Sequence, residues 1–224
     1  MVHRTRISRA TQFAAMLLLL LTLPGCNYFI LLGYLIGGPP QLEPLFEAET
    51  KESLTDRGVR VAVVCYADKE LKYSYDNIDY LIAAHLTTKL RQNKIDVVSS
   101  DRIRVWMEKN KDWDSPEEIG AEFDVTYVVY VDIADFSLFE RDSNNSLFRG
   151  RCECIVSVHK MEADGDGRRI FVKDVTSVFP IQVPRSAAEV SYDTFRAEYF
   201  WRLADEIGRL FYPYMNGDDI VNAT

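Results

Sequence analysis

The stretch Val59-Arg60-Val61-Ala62-Val63-Val64-Cys65-Tyr66 decides the fold of this chain. It is short, rich in β-branched side chains and almost continuously apolar. Such a run is typical of a strand that is covered on both faces, as parallel strands in α/β sheets are. The sequence therefore predicts an interior strand at residues 59–66.

Helical and strand patterns alternate after this strand, which indicates crossover connections between parallel strands. The polar residues 67–75 predict a loop. Apolar spacing then predicts a helix over about 77–92, a short strand over 95–99 and a helix over about 101–109. Ser115-Pro116-Glu117-Glu118 starts a further short helix, which ends near Phe123, because it combines a capping serine, a first-turn proline and acids at the positive end of the dipole.

The second half of the chain has the pattern of an antiparallel meander followed by a helix. Strands are predicted over 126–139, 147–161 and 169–179, separated by turns at 140–146 and 164–167. A last helix, over about 191–211, is expected to cover one face of the sheet. The order β-α-β-α-α-β-β-β-α indicates an α/β (α+β) fold, a single domain of two or three layers with a mixed sheet of about five strands.

Residues 1–26 have the three parts of a bacterial secretion signal. Three arginines form a positive segment, an apolar segment runs over residues 13–23, and Gly25 precedes Cys26. Leu23 and Gly25 before a cysteine resemble the bacterial lipobox, in which that cysteine is diacylated and becomes the first residue of the mature protein. We therefore predict a lipoprotein signal peptide over 1–26, acyl chains such as palmitate on Cys26, and a domain that faces the periplasm.

The alternative for the leader is an uncleaved membrane-spanning helix. No charged residue occurs from Phe13 to Gly38, a stretch longer than the roughly 20 residues that a spanning helix needs. Pro24 and the Gly-Pro cluster at 37–40 interrupt it. Both alternatives leave the arginines inside and place the domain outside the cytoplasm. Asn27, where an aspartate marks inner-membrane retention, favours the outer membrane for a lipid anchor.

The composition after the leader sets the domain boundaries. Residues 27–57 are predicted to be a linker, apolar over 28–36 and polar afterwards, and whether 28–36 insert in the membrane stays open. The folded domain is expected over 58–214, with a C-terminal tail over 215–224.

The charge balance excludes one class of partner. Without residues 1–26 the chain has 23 basic and 34 acidic residues. A domain this acidic repels phosphate backbones, so nucleic-acid binding is not expected.

Several stretches of the domain carry a resemblance to a known group. They are the valine-rich first strand, the helix Leu81-x-x-x-His85-Leu86-x-x-x-Leu90, and the segment 117–124 followed by the strand 127–131. By element order over about 58–211, the chain resembles the TolB amino-terminal and CsgG-like group of bacterial envelope lipoproteins. The resemblance implies a protein-binding or assembly role, as an accessory of a transport or secretion complex. Ordinary strand lengths and the short turn at 140–146 do not predict the long hairpins of a pore.

Three cysteines remain once Cys26 is assigned to lipid. An odd number argues against a complete disulfide framework. Cys152 and Cys154 lie on one face of their strand and are expected to be small buried side chains. A disulfide between Cys65 and one of them is the alternative, because the compartment is oxidising.

No catalytic residue, metal site or cofactor is predicted, apart from the covalent lipid. His85 lies on an apolar helix face, His159 has the opposite parity to the strand cysteines, and no nucleophile has a recognisable partner. Asp132 and Asp135 have opposite parity and are expected on opposite faces of their strand. The segment 164–167 opens like a calcium loop but lacks the closing glutamate, which favours a hairpin turn.

Aromatic residues are dense near the C-terminus. Phe195 and Tyr199, four residues apart, are expected in the core. A second set cannot lie on the same stripe, so it either covers the sheet edge or forms an exposed site for a protein partner. Its members are Phe200, Trp201, Tyr212 and Tyr214.

Two functions follow from these observations. The first is a non-enzymatic, membrane-anchored lipoprotein that binds a protein partner in the envelope. The second is an envelope hydrolase whose active site the sequence does not reveal. The sequence leaves the identity of the partner and the oligomeric state open, a homo-oligomer included.

Overall fold

The structure, a computed structural model, describes residues 33, 35, 41–162 and 165–215. Cys26 and the predicted signal peptide therefore lie outside the described residues. The strands are β1 (Gln41–Leu42), β2 (Arg60–Ala67), β3 (Asp96–Val97), β4 (Tyr127–Phe139), β5 (Leu147–Met161), β6 (Gly167–Phe179), β7 (Arg185–Ser186) and β8 (Tyr214–Met215). The helices are α1 (Leu45–Thr50), α2 (Lys69–Ser74), α3 (Ile78–Gln92), α4 (Ser100–Lys109), α5 (Pro116–Phe123) and α6 (Tyr192–Gly208). Among them no helix is both long and apolar enough to cross a bilayer.

The main sheet has the order β3-β2-β4-β5-β6, and the short β7 pairs with β5. Strand β2 runs parallel to both of its neighbours, whereas β4, β5 and β6 form an antiparallel meander. The valine-rich stretch is therefore an interior strand, and its residues Val61 to Cys65 are all buried. This arrangement confirms the predicted α/β class and the mixed sheet, with one additional short strand.

Helices α3 and α6 cover one face of this sheet. Alternate residues of β2, β4 and β5 point into the layer between sheet and helices, where they meet the aromatic stripe of α6. Phe195 stacks on Phe148 with ring centroids 5.1 Å apart, and Tyr199 lies over Gly150. We call this side of the sheet the covered face. It contains the larger of the two buried clusters. The last helix, which ends at Gly208, covers it as expected.

Helices α4 and α5 lie on the opposite face, above β2 and the first part of β4. A smaller apolar cluster joins them to the sheet, including Val64, Ile103, Ile119 and Val128. The predicted start of α5 is confirmed, since Ser115 and Glu118 form a reciprocal capping box with Pro116 in the first turn. The fold therefore has three layers over one half of the sheet and two over the other.

The prediction of a linker over the whole of 27–57 is wrong for its last part. Phe46 on α1 is 1% exposed and packs edge-on against Phe171 with centroids 5.5 Å apart. Leu54 is also buried, and Gln41 pairs with Met215 across β1 and β8. Residues 41–57 lack the periodicity of an amphipathic helix because isolated apolar side chains, rather than a stripe, anchor them to the domain.

The prediction of a loop over 67–75 is also incomplete. Asp68 accepts a hydrogen bond from the backbone N–H of Leu71 at 2.8 Å and caps the one-and-a-half turns of α2. The helix has no fully buried residue. Its sequence therefore lacks the apolar stripe from which a helix can be predicted.

Candidate functional site

The half of the sheet that α4 and α5 leave uncovered presents an exposed surface formed by β4, β5 and β6. Ile155 and Val172 are 42% and 46% exposed there, although both lie on paired strands. We call this surface the open face. It is formed by Tyr66, Asp132, Asp135, Glu153, Ile155, Val172, Asp174 and Thr176, which the strand register places on one side of the sheet.

A β-bulge brings two acidic residues together on the open face. Asp132 pairs with Ile155 and Asp135 pairs with Glu153, so the strand register shifts between Ile133 and Asp135. The extra residue in β4 reverses the alternation of side chains beyond it. The expectation that Asp132 and Asp135 lie on opposite faces is therefore wrong, because parity counting assumes a regular strand.

Four carboxylates give the open face a negative charge. Among the described residues, none of Asp132, Asp135, Glu153 and Asp174 takes part in an ion pair. Burial, reinforced by the charge of Asp132, raises the pKa of the neighbouring Tyr130 to about 12. The open face thus combines exposed aliphatic side chains with four carboxylates, two of which, Asp135 and Glu153, line a shallow cavity together with Arg141 and Arg151. This chemistry suits a partner with basic and apolar side chains.

A chain of hydrogen bonds marks the border between the open face and α5. His159 Nδ1 lies 2.6 Å from Glu117 Oε1 on α5, and His159 Nε2 lies 3.3 Å from Ser157 Oγ. Burial opposes ionisation of Glu117, but bonds with its own backbone N–H and with His159 outweigh it and lower the pKa of this carboxyl. Sequence reasoning missed the trio because Glu117 lies on a separate helix.

The trio has the order of groups found in a serine hydrolase, but its surroundings differ from those of an active site. Ser157 is 5% exposed and lies in β5, between Tyr130 of β4 and Val172 of β6. Backbone N–H groups of a strand paired on both sides are engaged in the ladder, so they do not form an oxyanion hole. The trio links α5 to the sheet, and we call it the polar clamp.

The three described cysteines are free thiols, all buried on the covered face. The alternative of a disulfide from Cys65 is not present. Burial raises the pKa of Cys65 well above its usual value, and the contact with Cys154 together with burial raises that of Cys152. Protonated, inaccessible thiols are poor nucleophiles, so these residues pack as small apolar side chains.

The aromatic set proposed as a partner site does not form one surface. Phe200 and Tyr212 are buried, so the alternative that places them in an exposed site is wrong for these two residues. The hydroxyl of Tyr212 donates to Asp205 at 3.0 Å. Trp201 is 38% exposed, and the ammonium of Lys89 lies 4.3 Å from the centre of its ring.

Tyr214, the fourth member of the aromatic set, is partly buried on β8. The guanidinium of Arg209 lies 5.1 Å from the centre of its ring. No cluster of metal-binding side chains occurs within the described ranges.

Comparisons with known proteins give only distant likenesses. No family model matches the chain, and no curated protein matches it. A PelC dodecamer structure from Paraburkholderia phytofirmans is similar at 12% identity over 77% of this chain and 97% of that chain, with a TM-score of 0.42. The lipoprotein GNA1162 from Neisseria meningitidis is similar at 9% identity over 66% and 97%, with a TM-score of 0.40.

The hypothetical protein CT253 from Chlamydia trachomatis is similar at 16% identity over 70% of this chain and 92% of that chain, with a TM-score of 0.39. At these TM-scores, none of the three likenesses assigns a family or a function to the chain. The resemblance to the TolB and CsgG-like group stays a prediction.

Proposed function

We propose that this chain is a lipid-anchored protein of the bacterial cell envelope that binds another protein through the open face and catalyses no reaction itself. One observation carries the proposal: Ile155 and Val172 are exposed beside four carboxylates on the one sheet surface that no described helix covers. In an antiparallel sheet with one solvated face, the residues that point to that face are ordinarily polar. Exposed aliphatic side chains at these positions contribute little to folding but would contribute to binding.

The surface chemistry defines the partner. Removal of apolar surface from water contributes favourably to binding, against the entropy lost on association. Lysine and arginine side chains at the rim would pair with Asp132, Asp174 and their neighbours, which favours encounter and orientation. The expected partner is therefore a protein segment with an apolar stripe flanked by basic residues, not a nucleic acid or a free metal ion.

Acyl chains on Cys26 would hold the acidic domain beside a bilayer that does not attract it by charge. Each buried methylene contributes about 0.8 kcal/mol, so two chains give a durable anchor. Replacement by Cys26→Ser should abolish labelling with radioactive palmitate, since the acceptor sulfur is lost. Undiminished labelling of that variant would contradict the anchor. Asn27 favours the outer membrane.

Capture from detergent-solubilised membranes tests the binding role. The intact lipidated protein should co-purify with a partner, and the double variant Ile155→Arg/Val172→Arg should lose at least nine-tenths of it because two new charges repel basic side chains. Val105→Arg is the matched control, since Val105 is 44% exposed on α4 and lies outside the open face. Equal loss in the control, or retention in the double variant, would contradict the proposal.

A hydrolase is the second candidate, and the trio Ser157, His159 and Glu117 is the observation that favours it. An active serine would react with a fluorophosphonate probe and lose that reaction in Ser157→Ala. We expect no labelling of the wild-type protein, because Ser157 is buried. Labelling that Ser157→Ala abolishes would replace the binding role with catalysis.

A further inference from the structure

A crevice opens at the edge of the main sheet, where β3 ends early. Strand β3 pairs with β2 only at Arg60 and Val61, and α4 begins soon afterwards at Ser100. Helix α3 packs on the covered face and α4 on the opposite one, so the connections that follow β2 and β3 diverge at this place. In α/β sheets, small molecules ordinarily bind in the crevice beyond the carboxyl ends of the strands at such a point of divergence.

A cavity of about 470 Å³ lies in this crevice, within the size range of binding sites for small molecules. Its walls are formed by α3 and α4, and its apolar lining includes Ala83, Ile103, Met107 and Trp113. Met107 and Trp113 are only partly buried, so each keeps apolar surface exposed. Flat rings pack favourably against methionine sulfur and against the indole of tryptophan. The inner part of the cavity therefore suits an apolar ring.

Arg104 on α4 is a fixed cation at the side of this apolar lining. Its guanidinium lies 4.3 Å from the centre of the Tyr80 ring on α3, and the hydroxyl of Tyr80 in turn donates to Asp101 at 2.7 Å. Arg104 Nε lies 3.8 Å from Glu108 Oε1, a distance too long for a hydrogen bond, and both side chains are exposed. Such a pair contributes little. The ring contact thus positions a guanidinium that donates no hydrogen bond to any described residue.

The other charged groups of the lining do not offer a comparable contact. Lys72 and Asp79 neutralise each other at 2.6 Å. Asp76 and Lys111 have opposite charges, and in the described part of the chain neither side chain forms an ion pair or a hydrogen bond that would fix its position. Arg104 is therefore the charged group that is both held in place and left with free donors.

We infer that this cavity binds a small ring-containing carboxylic acid, with the ring against Met107 and Trp113 and the ionised carboxylate on Arg104. The planar guanidinium presents parallel N–H donors whose spacing matches the oxygens of a carboxylate, and it keeps these donors while its flat side stacks on an aromatic ring. Arg104 and Met107 are three positions apart on one helix, so their side chains are neighbours on its surface. One molecule can therefore contact both.

The cavity shares no residue with the open face. Occupation by a small acid is therefore independent of the proposed protein partner, and the failure of either proposal leaves the other standing.

Calorimetric titration of the full-length lipidated protein in detergent with indole-3-acetate tests the inference. Saturable binding is expected with a Kd below about 1 mM, which a ligand of this size can reach. Tryptophol and tryptamine keep the indole ring and replace the carboxylate by a hydroxyl or an ammonium group. Both should bind about fivefold more weakly than the acid or worse, because neither accepts a charge-assisted pair of hydrogen bonds from Arg104.

Variants of α4 separate the two parts of the site. Arg104→Gln should weaken binding of indole-3-acetate about tenfold, the range for hydrogen bonds to a charged group, and leave tryptophol unaffected. Arg102→Gln is the matched control, since the guanidinium of Arg102 lies over Phe123 and outside the cavity lining. Met107→Trp fills the apolar part and should weaken acid and alcohol alike. Partition into the detergent is the same for every variant, and thermal unfolding shows whether each is folded.

Three results would overturn the inference. They are no saturable binding of indole-3-acetate to the wild type, equal or tighter binding of tryptophol or tryptamine, and unchanged binding of the acid to a folded Arg104→Gln or Met107→Trp variant.

Discussion

The two faces of the meander, formed by the same three strands, differ in what covers them. On the covered face, Cys152, Cys154 and Val156 of β5 are nearly inaccessible beneath the aromatic stripe of α6. On the open face of that strand, Glu153 and Ile155 are exposed. Side chains of β5 alternate regularly between the two faces. This alternation alone does not explain why an isoleucine points to solvent. The difference indicates that the covered face stabilises the fold and that the open face is available for another molecule.

Removing an aromatic ring from the covered face should have the largest effect on stability. Phe195→Ala deletes a fully buried ring that stacks near Phe148, Phe179 and Tyr199. The cavity and the lost contacts should cost about 3–5 kcal/mol of unfolding free energy, measured by urea denaturation. Tyr73→Ala is the control, because Tyr73 is 93% exposed. Equal midpoints for the two variants would contradict the assignment of the core.

Asp205 on α6 tests the polar edge of the covered face. It accepts from Lys89 at 3.0 Å and from Tyr212 at 3.0 Å, and it pairs with Arg209 at 2.9 Å. Burial opposes its ionisation, but these three partners together lower its pKa below the ordinary 3.8. Asp205→Asn should cost about 2 kcal/mol near neutral pH, the range for hydrogen bonds to charged groups.

The pH dependence of this variant has a definite sign. A carboxyl whose pKa is lowered in the folded state stabilises the fold above its unfolded pKa and loses that contribution as pH falls through the folded value. The difference between wild type and Asp205→Asn should therefore be constant above about pH 5 and shrink in more acidic buffer. A difference that grows on acidification would show that the network does not stabilise the ionised form.

Ser157→Ala probes the border between the two faces. Loss of the contact with His159 should cost about 1 kcal/mol, because one buried hydrogen bond is removed while Glu117 keeps its bond to the ring. Thr176→Ala on the open face, where the side chain is exposed, should change the unfolding free energy by less than about 0.5 kcal/mol. Equal effects of the two substitutions would remove the evidence for a clamp.

Neighbouring residues of β5 allow the sharpest comparison of the two faces. Val156→Ala on the covered face should cost about 2 kcal/mol. Ile155→Ala on the open face should cost less than about 1 kcal/mol, because its side chain is already partly hydrated. A large loss of stability at Ile155, measured by the same denaturation, would mean that this residue serves folding rather than binding.

Much of the architecture could be predicted from the sequence because periodicity reports burial directly. The valine-rich run predicted β2, the spacing of four predicted α6, and the capping residues predicted α5. Helix α1 was not predicted, because Phe46 and the nearby Leu54 are buried by contacts with distant parts of the chain. Helix α2 escaped because it buries no apolar stripe.

Less of the candidate site than of the fold could be predicted from the sequence. The bulge in β4 places Asp135 on the same face as Asp132. No residue type in that stretch indicates a bulge. The link between Glu117 and His159 joins residues 42 positions apart, which a single sequence does not reveal. Aromatic density near the C-terminus left a partner surface at Phe200 and Tyr212 as one of two alternatives, and both residues are buried in the core.

Photo-crosslinking in living cells tests the role of the open face most directly. A photoreactive amino acid at position 155 or 172 should give a crosslinked band with one envelope protein, and the same amino acid at position 105, where exposure is 44%, should give none. Such a pattern would place the partner on the open face. Crosslinks from position 105 alone, or none from 155 and 172, would contradict the account.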